Sequence, residues 1–397
     1  MGVNCYCNYQ SEQGSIPVPP LDKTIDVSNN VKNIDELNRQ ESYNRIFSIN
    51  KNDLKTIQSI KKENEDEKNN NNIKEIENNK NDDNDDDDNN NIIKEEDSNF
   101  NKKINSISTQ ITEEKFNSFI NEKIKEIELK FGQINQDKKK EYMNNKDKNL
   151  VFKSPLFFKE TNISYYGSWN PTEIKKEGWG ILIDKDGNKY EGGWKNDSIE
   201  GYGRIISING DYYEGEFIGG KFDGNGTFYS YEKKMIYKGE FKNNVFEGKG
   251  EQIFENSENK KLVYKGYFKN GKREGQGKFF FDDDNIYEGN FNDDKFNGDG
   301  SFKWKDGREY KGKWKDNLME GKGVFTWDKN NWYEGEYKDN KKEGFGIYHF
   351  EGNNYYEGKW LNNLPHGEGK LSKNEKIIEG IFRFGKIIKN KNKKGKK

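Results

Sequence analysis

Few residues of this chain are of types that do chemistry, and their spacing limits what they can do. Histidine occurs only at His349 and His366. His349 lies between Tyr348 and Phe350 in a strand-like run, and His366 sits in Pro365-His-Gly367, a turn-like setting. Both read as structural residues, since neither is matched to a nucleophile or an orienting carboxylate. Glu191, Glu214, Glu288, Glu334 and Glu357 recur at one position of a repeating unit. That regularity marks one face of successive strands, not a converging acid–base pair. Gly-x-Gly pairs abound, but a phosphate-binding loop needs a strand, a glycine turn and a helix N-terminus in succession. Here strand-like runs follow the glycines, and no Gly-x-x-x-x-Gly-Lys-Ser/Thr occurs. The run Asp82-Asp-Asn-Asp-Asp-Asp-Asp88 offers carboxylates. It lacks the alternating ligands, central Gly and closing Glu of a calcium loop. No catalytic residue, cofactor or metal site is expected.

The N-terminus has a different chemistry. The chain begins Met1-Gly-Val-Asn-Cys-Tyr-Cys7, and Cys5 and Cys7 are its two cysteines. Gly2 is positioned as an acceptor for a myristoyl group, and the neighbouring thiols as acceptors for palmitate. Tyr6 departs from the Ser or Thr usual at the sixth position of a myristoylation motif. One myristoyl chain holds a membrane weakly, whereas two lipid signals hold it stably. A Cys-x-Cys pair alone supplies two of the four ligands of a structural metal. Modified Gly2, Cys5 and Cys7 would resemble the N-termini of dual-acylated protist proteins, the alternative being an unmodified terminus. Residues 386–397 include seven Lys, a basic tail suited to an anionic leaflet or to solubility alone. No run of eighteen apolar residues and no signal-peptide core is present, so neither a membrane span nor secretion is expected.

The elements behind these residues follow from a motif recurring about every 23 residues. Its leading pairs are Tyr190/Trp194, Tyr213/Phe217, Tyr237/Phe241, Tyr264/Phe268, Tyr287/Phe291, Tyr310/Trp314, Tyr333/Tyr337 and Tyr356/Trp360, each with Gly two residues after the Tyr. A Gly-x-Gly follows each pair, from Gly201/Gly203 to Gly367/Gly369. Aromatics two or four positions apart share one face of a strand. Asn, Asp, Gly and Lys between them suit tight turns, and glycines within the strands leave room for a neighbouring ring. One hairpin cannot bury its aromatic face, but a stack of hairpins can.

This pattern resembles the MORN repeat family, with eight full copies from Tyr190 to Gly369. A looser copy precedes them at Tyr165-Tyr-Gly-Ser-Trp169, and a degenerate one follows at Ile378-Glu-Gly-Ile-Phe382. The resemblance implies an all-β repeat, an elongated single-layer antiparallel sheet of stacked β-hairpins spanning residues 160–388. It also implies a non-enzymatic scaffold for cytoskeletal or cortical proteins, with association of two copies as a homodimer. Combined with the N-terminus, it places the protein on the cytoplasmic face of the plasma membrane or of an inner cortical membrane. A phospholipid-binding module acting through the repeats, and a ciliary or flagellar scaffold, are the alternatives.

Composition divides the chain further. Residues 1–150 carry 23 Lys+Arg and 30 Asp+Glu, net −7, leaving +5 for the remainder of a chain whose net charge is −2. The Asn/Asp/Lys-rich stretch 8–105 is too polar to offset its ordering entropy and reads as a disordered linker. Within 106–148, Phe116, Ile120, Ile124, Ile127, Phe131 and Ile134 fall at helical spacing. Thr112 is placed to cap this amphipathic helix, which suits packing on the first repeats or a coiled coil. Residues 389–397 form the basic tail. Aromatics among lysines could suggest nucleic-acid stacking. The acids of the repeat region nearly match its bases, so no nucleic acid is expected.

Overall fold

The computed structural model describes residues 88–144, 149–255, 261–281 and 284–390. Gly2, Cys5, Cys7, most of the linker and residues 391–397 of the tail lie outside this set. The described residues fall into two compact units, one ending at Phe254 and the other beginning at Glu255.

The first unit opens with helices α1 (Asp88–Ile107), α2 (Glu113–Asn117), α3 (Glu122–Phe131) and α4 (Gln136–Asn144). The short strand β1 (Thr109–Gln110) lies between α1 and α2. Strands β2 (Val151–Phe158), β3 (Ile163–Asn170), β4 (Lys175–Ile183), β5 (Lys189–Lys195) and β6 (Ser198–Ile206) follow. Next come β7 (Tyr212–Ile218), β8 (Lys221–Ser230), β9 (Met235–Lys242) and β10 (Val245–Glu255). The second unit holds β11 (Lys261–Lys269), β12 (Lys272–Phe280), β13 (Ile286–Asn292), β14 (Lys295–Lys303), β15 (Glu309–Lys315) and β16 (Leu318–Asp328). It continues with β17 (Asn331–Lys338), β18 (Lys341–Phe350), β19 (Asn354–Leu361), β20 (Leu364–Lys373), β21 (Lys376–Arg383) and β22 (Lys386–Asn390). From β2 to β10, and again from β11 to β22, each strand pairs antiparallel with the next. Each unit is therefore an open sheet of stacked hairpins, as the repeat requires.

The turns explain the hairpins. Asn243/Asn244, Asp316/Asn317 and Asn362/Asn363 all have positive φ. Two such residues in a row make the two-residue turn whose twist matches paired strands. The second turn residue also ties one repeat to the previous one. Asn244, Asn317, Asn340 and Asn363 accept, at 2.7 Å, the backbone N–H of Phe222, Phe296, Met319 and Lys342.

The two glycines of Gly-x-Gly do different work. The first is a bulge: Gly298 has φ 80, and the register of β13 on β14 shifts between Gly289 and Phe291. The second, Gly300, pairs directly with Gly289 across the ladder.

Three expectations need correction. Residues 88–105 are not disordered linker, because α1 covers them. Its Phe100 and Ile104 are buried, and the Phe100 ring lies 6.3 Å from Trp169. The helix expected over 106–148 is broken into α2, α3 and α4. Asn121 caps α3 by accepting the Lys123 N–H, and Gly132 ends α3 at φ 77. Thr112 does cap α2, accepting the Lys115 N–H. The sheet also exceeds 160–388 at both ends. Upstream, β2 carries Pro155 at a register shift on β3, where a missing N–H breaks no ladder bond. Downstream, Lys386 and Lys389 of the basic segment belong to β22.

Candidate functional site

The sheet has two faces, and the repeat motif builds one of them. Tyr190, Trp194, Tyr213, Phe217, Tyr237, Phe241, Tyr264, Phe268, Tyr287, Phe291, Tyr310, Trp314, Tyr333, Tyr337, Tyr356 and Trp360 are all buried there. Each leading Tyr folds over the Gly two residues on and donates its O–H to the next carbonyl. Tyr287 Oη lies 2.9 Å from the Asn290 oxygen, and Tyr356 Oη 3.0 Å from that of Lys359. Only glycine permits this, since a Cβ on Gly289 would stand 2.7 Å from Tyr287 Oη, and one on its cross-strand partner Gly300 would stand 2.4 Å away. Within each unit these rings meet the aromatic of their own repeat and that of the next edge-on. Tyr287 lies 5.2 Å from Phe291 and 5.6 Å from Trp314, and Tyr333 lies 5.3 Å from Tyr337 and 5.1 Å from Trp360. The degenerate last copy still supplies Phe382, 5.0 Å from Tyr356. Burial raises the phenol pKa of Tyr190, Tyr213 and Tyr333 well above the ordinary value. The motif side chains are thus occupied in holding the fold.

The opposite face carries the chain's own helices in the first unit, where it seats α3 and α4. Ile124 and Ile127 of α3 are buried with Ile206, Tyr212 and Tyr229. Phe131 stacks on Tyr212 at 4.3 Å and meets Tyr229 at 5.2 Å. The seat is a register row, since Lys189 pairs with Ile206, Ile206 with Tyr212, and Tyr212 with Tyr229.

A polar row runs beside it, with Glu191 opposite Arg204 and Arg204 opposite Glu214. Arg204 Nε donates to Glu214 at 2.8 Å, and its Nη1 donates to the Gly132 carbonyl at 2.7 Å. Tyr212 Oη also donates to Glu214 at 2.8 Å, and the Asn135 N–H reaches the same carboxylate at 3.1 Å. Burial pushes the Glu214 carboxyl up, but the Tyr202 and Arg204 contacts outweigh it and hold the pKa below its ordinary value. Lys139 of α4 pairs with Glu191 at 3.1 Å, and Lys189 pairs with Glu128 of α3. Two of the periodic glutamates therefore bind helices.

Tyr142 of α4 explains an irregularity in the repeat. The residue before the second aromatic is Glu216, Glu240, Tyr267, Asn290, Lys313, Glu336 or Lys359 in later copies, but Gly193 in the first full one. A Cβ on Gly193 would meet the Tyr142 ring at 2.6 Å, and one on Gly201 would meet it at 2.8 Å. The Trp179 ring stands edge-on to Tyr142 at 5.8 Å. Beside this ring opens a cavity of about 610 Å³, lined by residues including Lys138, Glu141, Trp194, Glu200, Glu216 and Asp223. Its lining contains no serine, threonine, cysteine or histidine.

The two histidines sit elsewhere. His349 stacks on Trp332 at 3.8 Å, and burial holds its pKa below the ordinary value against the opposing pull of Glu334. His366 lies 5.5 Å from Phe384. Among the described residues no cluster of three His, Cys, Asp or Glu could hold a metal, and no helix is long and apolar enough to cross a membrane. Sequence reasoning found the aromatic face but missed Ile206, Tyr212, Arg204 and Tyr142. Gly193, a break in an otherwise long-chain position, was the available signal.

Comparison with known proteins gives the class. The MORN repeat model matches eight consecutive stretches: 190–212, 213–232, 237–258, 264–286, 287–307, 310–332, 333–355 and 356–374. These stretches are thus similar to MORN repeats, whose all-β fold is of a non-catalytic scaffold type, and the structure of this region is itself an all-β repeat. Such repeats occur in membrane- and phospholipid-binding proteins and in scaffolds. Comparison with curated proteins finds none that matches. Among solved structures, the chain is similar to the SAS-4 (dCPAP) TCP domain in complex with a proline-rich motif of Ana2 (dSTIL) of Drosophila melanogaster. Identity is 14%, covering 37% of this chain and 77% of that one, with a TM-score of 0.24. It is also similar to a mutant of the TCP10 domain of Danio rerio CPAP, at 11% identity, 53% and 97% coverage and a TM-score of 0.30. At these scores neither likeness bears on function.

Proposed function

We propose that the protein is a non-enzymatic scaffold, tethered through its N-terminus to the cytoplasmic face of a plasma or cortical membrane, whose repeat sheet presents its outer face to cytoskeletal or cortical partners. One observation carries the reading. The face opposite the aromatic core already seats α3 and α4 through Tyr212, Arg204, Glu191 and Glu214. A sheet of this kind recognises other elements through the side chains that vary between repeats. The tether rests on Gly2, Cys5 and Cys7, with the Lys-rich segment as a further contact to anionic lipid.

The test is fractionation of cells expressing the full chain or its Gly2→Ala variant, with metabolic labelling by acyl-chain analogues. The native chain is expected in the membrane pellet and labelled, and the variant in the soluble fraction. Equal pelleting of both would overturn the tether. Loss of label without loss of pelleting would move the attachment to the repeat face or the basic tail.

A further inference from the structure

The helix seat of the first unit recurs in the second. There, Trp332 pairs with His349, His349 with Tyr355, and Tyr355 with Ser372. Counted from the leading tyrosines, these are the positions of Lys189, Ile206, Tyr212 and Tyr229. In the neighbouring row, Glu334 pairs with Ile347 and Ile347 with Glu357, at the positions of Glu191, Arg204 and Glu214. This coincidence is not general to the array. At the glutamate position the eight full copies read Glu191, Glu214, Lys238, Lys265, Glu288, Lys311, Glu334 and Glu357. Only the first pair and the last pair put glutamates on adjacent repeats. At the position just before the leading tyrosine, only Tyr212, Trp332 and Tyr355 are aromatic.

The two seats differ in two ways. Ile206, Tyr212 and Tyr229 are buried, whereas Trp332, His349 and Tyr355 are partly exposed, and Phe345, on the same face beyond Ile347, is 51% exposed. Among the described residues the second unit contains only strands. The second difference is charge. Arg204 separates the two acids of the first seat and pairs with Glu214, but Ile347 stands in its place between Glu334 and Glu357. Lys370 lies across the ladder from Glu357, its ammonium 5.6 Å from the Tyr355 ring. That leaves two carboxylates flanking an apolar side chain on a face with a partly exposed aromatic row. An occupant must bring an apolar edge for the row and a cation for the acid pair.

We propose that the row Trp332–His349–Tyr355, with Glu334 and Glu357, is a docking site for an amphipathic helix of a partner protein that carries lysine or arginine along one flank. The proposal rests on the scaffold reading and assigns it one face. The site would use the contacts seen within the chain, with an aromatic side chain of the helix on Tyr355 as Phe131 lies on Tyr212, and a cation at Glu334 as Lys139 lies at Glu191.

The probe is a fluorescent peptide with the sequence of residues 118–144, the helix pair this fold seats, titrated by anisotropy into the full chain with its own helices in place. Saturable one-to-one binding is expected. It should weaken about tenfold or more in Tyr355→Ala and Glu357→Lys. It should be unchanged in Glu288→Lys, the same repeat position between two lysine-bearing copies. Circular dichroism and the thermal transition of each variant check the fold. Absence of saturable binding, or equal weakening by Glu288→Lys, would overturn the site. A full chain that is dimeric, and that Tyr355→Ala renders monomeric, would make a second copy the occupant and overturn the partner helix. Membrane fractionation is independent of this row, so failure here is distinguishable from failure of the tether.

Discussion

Replacing Gly300 by Ala tests whether glycine is present to admit the tyrosine ring. A Cβ there would stand 2.4 Å from Tyr287 Oη, 2.7 Å from Cζ and 2.8 Å from Cε2. The ring cannot yield locally, because Phe296 stacks on it at 3.6 Å and Trp314 meets it at 5.6 Å. Displacing it forfeits the hydrogen bond to Asn290, about 1 kcal/mol net, and two aromatic pairs at about 0.5–1.5 kcal/mol each. The expected loss is therefore about 2–4 kcal/mol. Tyr287→Phe alone removes only the hydroxyl and should cost about 1 kcal/mol. Because the hydroxyl is the closest atom to the new Cβ, the double variant should fall short of additivity by about 1 kcal/mol or more. Gly307→Ala is the control, since its Cβ meets nothing within 4 Å and only its φ of 94 is strained. That should cost about 1 kcal/mol. The assay is urea unfolding followed by circular dichroism, with amide exchange in β13 and β14 to locate the damage. A Gly300→Ala variant no worse than Gly307→Ala, or strict additivity with Tyr287→Phe, would refute the account.

Three further outcomes are expected. Tyr142→Ala empties the space over Gly193 and Gly201, so α4 amides should exchange at least about tenfold faster while those of β12 to β20 are unchanged; hydrogen-exchange mass spectrometry reads both. Burial raises the pKa of Tyr213, Tyr264, Tyr310 and Tyr356, so their contribution is complete below the unfolded value of about 10 and is lost as pH rises toward the folded values. Absorbance at alkaline pH should show these phenols ionising together with loss of strand signal, and early independent ionisation would contradict their burial. The depressed pKa of His349 gives a contribution present above its unfolded value of about 6.5 and lost as pH falls through the folded one. Its NMR titration midpoint should lie below 6.5, with Glu334 as the charged group opposing the shift, and Trp332→Ala should raise it.

The aromatic face was legible because it repeats. A Tyr, a Gly two residues on, an aromatic and a Gly-x-Gly occur eight times, and each constant residue has one steric reason to be there. The linker boundary was not legible. Asp88–Ile107 has the composition of a solvated segment, and among its described side chains Phe100 and Ile104 are the buried ones. Phe100, Ile104 and Ile107 fall at helical spacing, but the stripe is short among so many polar residues, and it is Trp169 that supplies the contact of Phe100. Likewise β2 has no Tyr-Gly motif, and its place as first long strand depends on Leu156 and Phe158 being buried in the fold. The apolar stripe from Phe116 to Ile134 did announce its partner face. Continuity of the helix was misread because Asn121 and Gly132 act as caps, which spacing of apolar residues does not register.

The division of labour between the two faces follows from how the array is held together. Each repeat is stabilised mainly by its neighbours, so any residue needed for that coupling must recur in every copy. The Tyr hydroxyl and the glycine clearance meet this requirement, which leaves them no freedom to distinguish one partner from another. Discrimination must reside at positions the coupling leaves free, and those lie on the outer face. There the copies do differ: Gly193 where others carry long side chains, Arg204 against Ile347, Tyr212 and Tyr355 against Ile236 and Ile286. In the first unit these departures coincide with α3 and α4, residue by residue. A departure from the repeat on this face is therefore the mark of a seat. By that criterion, β17 to β19 are the second place along the chain where the sheet is adapted to something beyond itself.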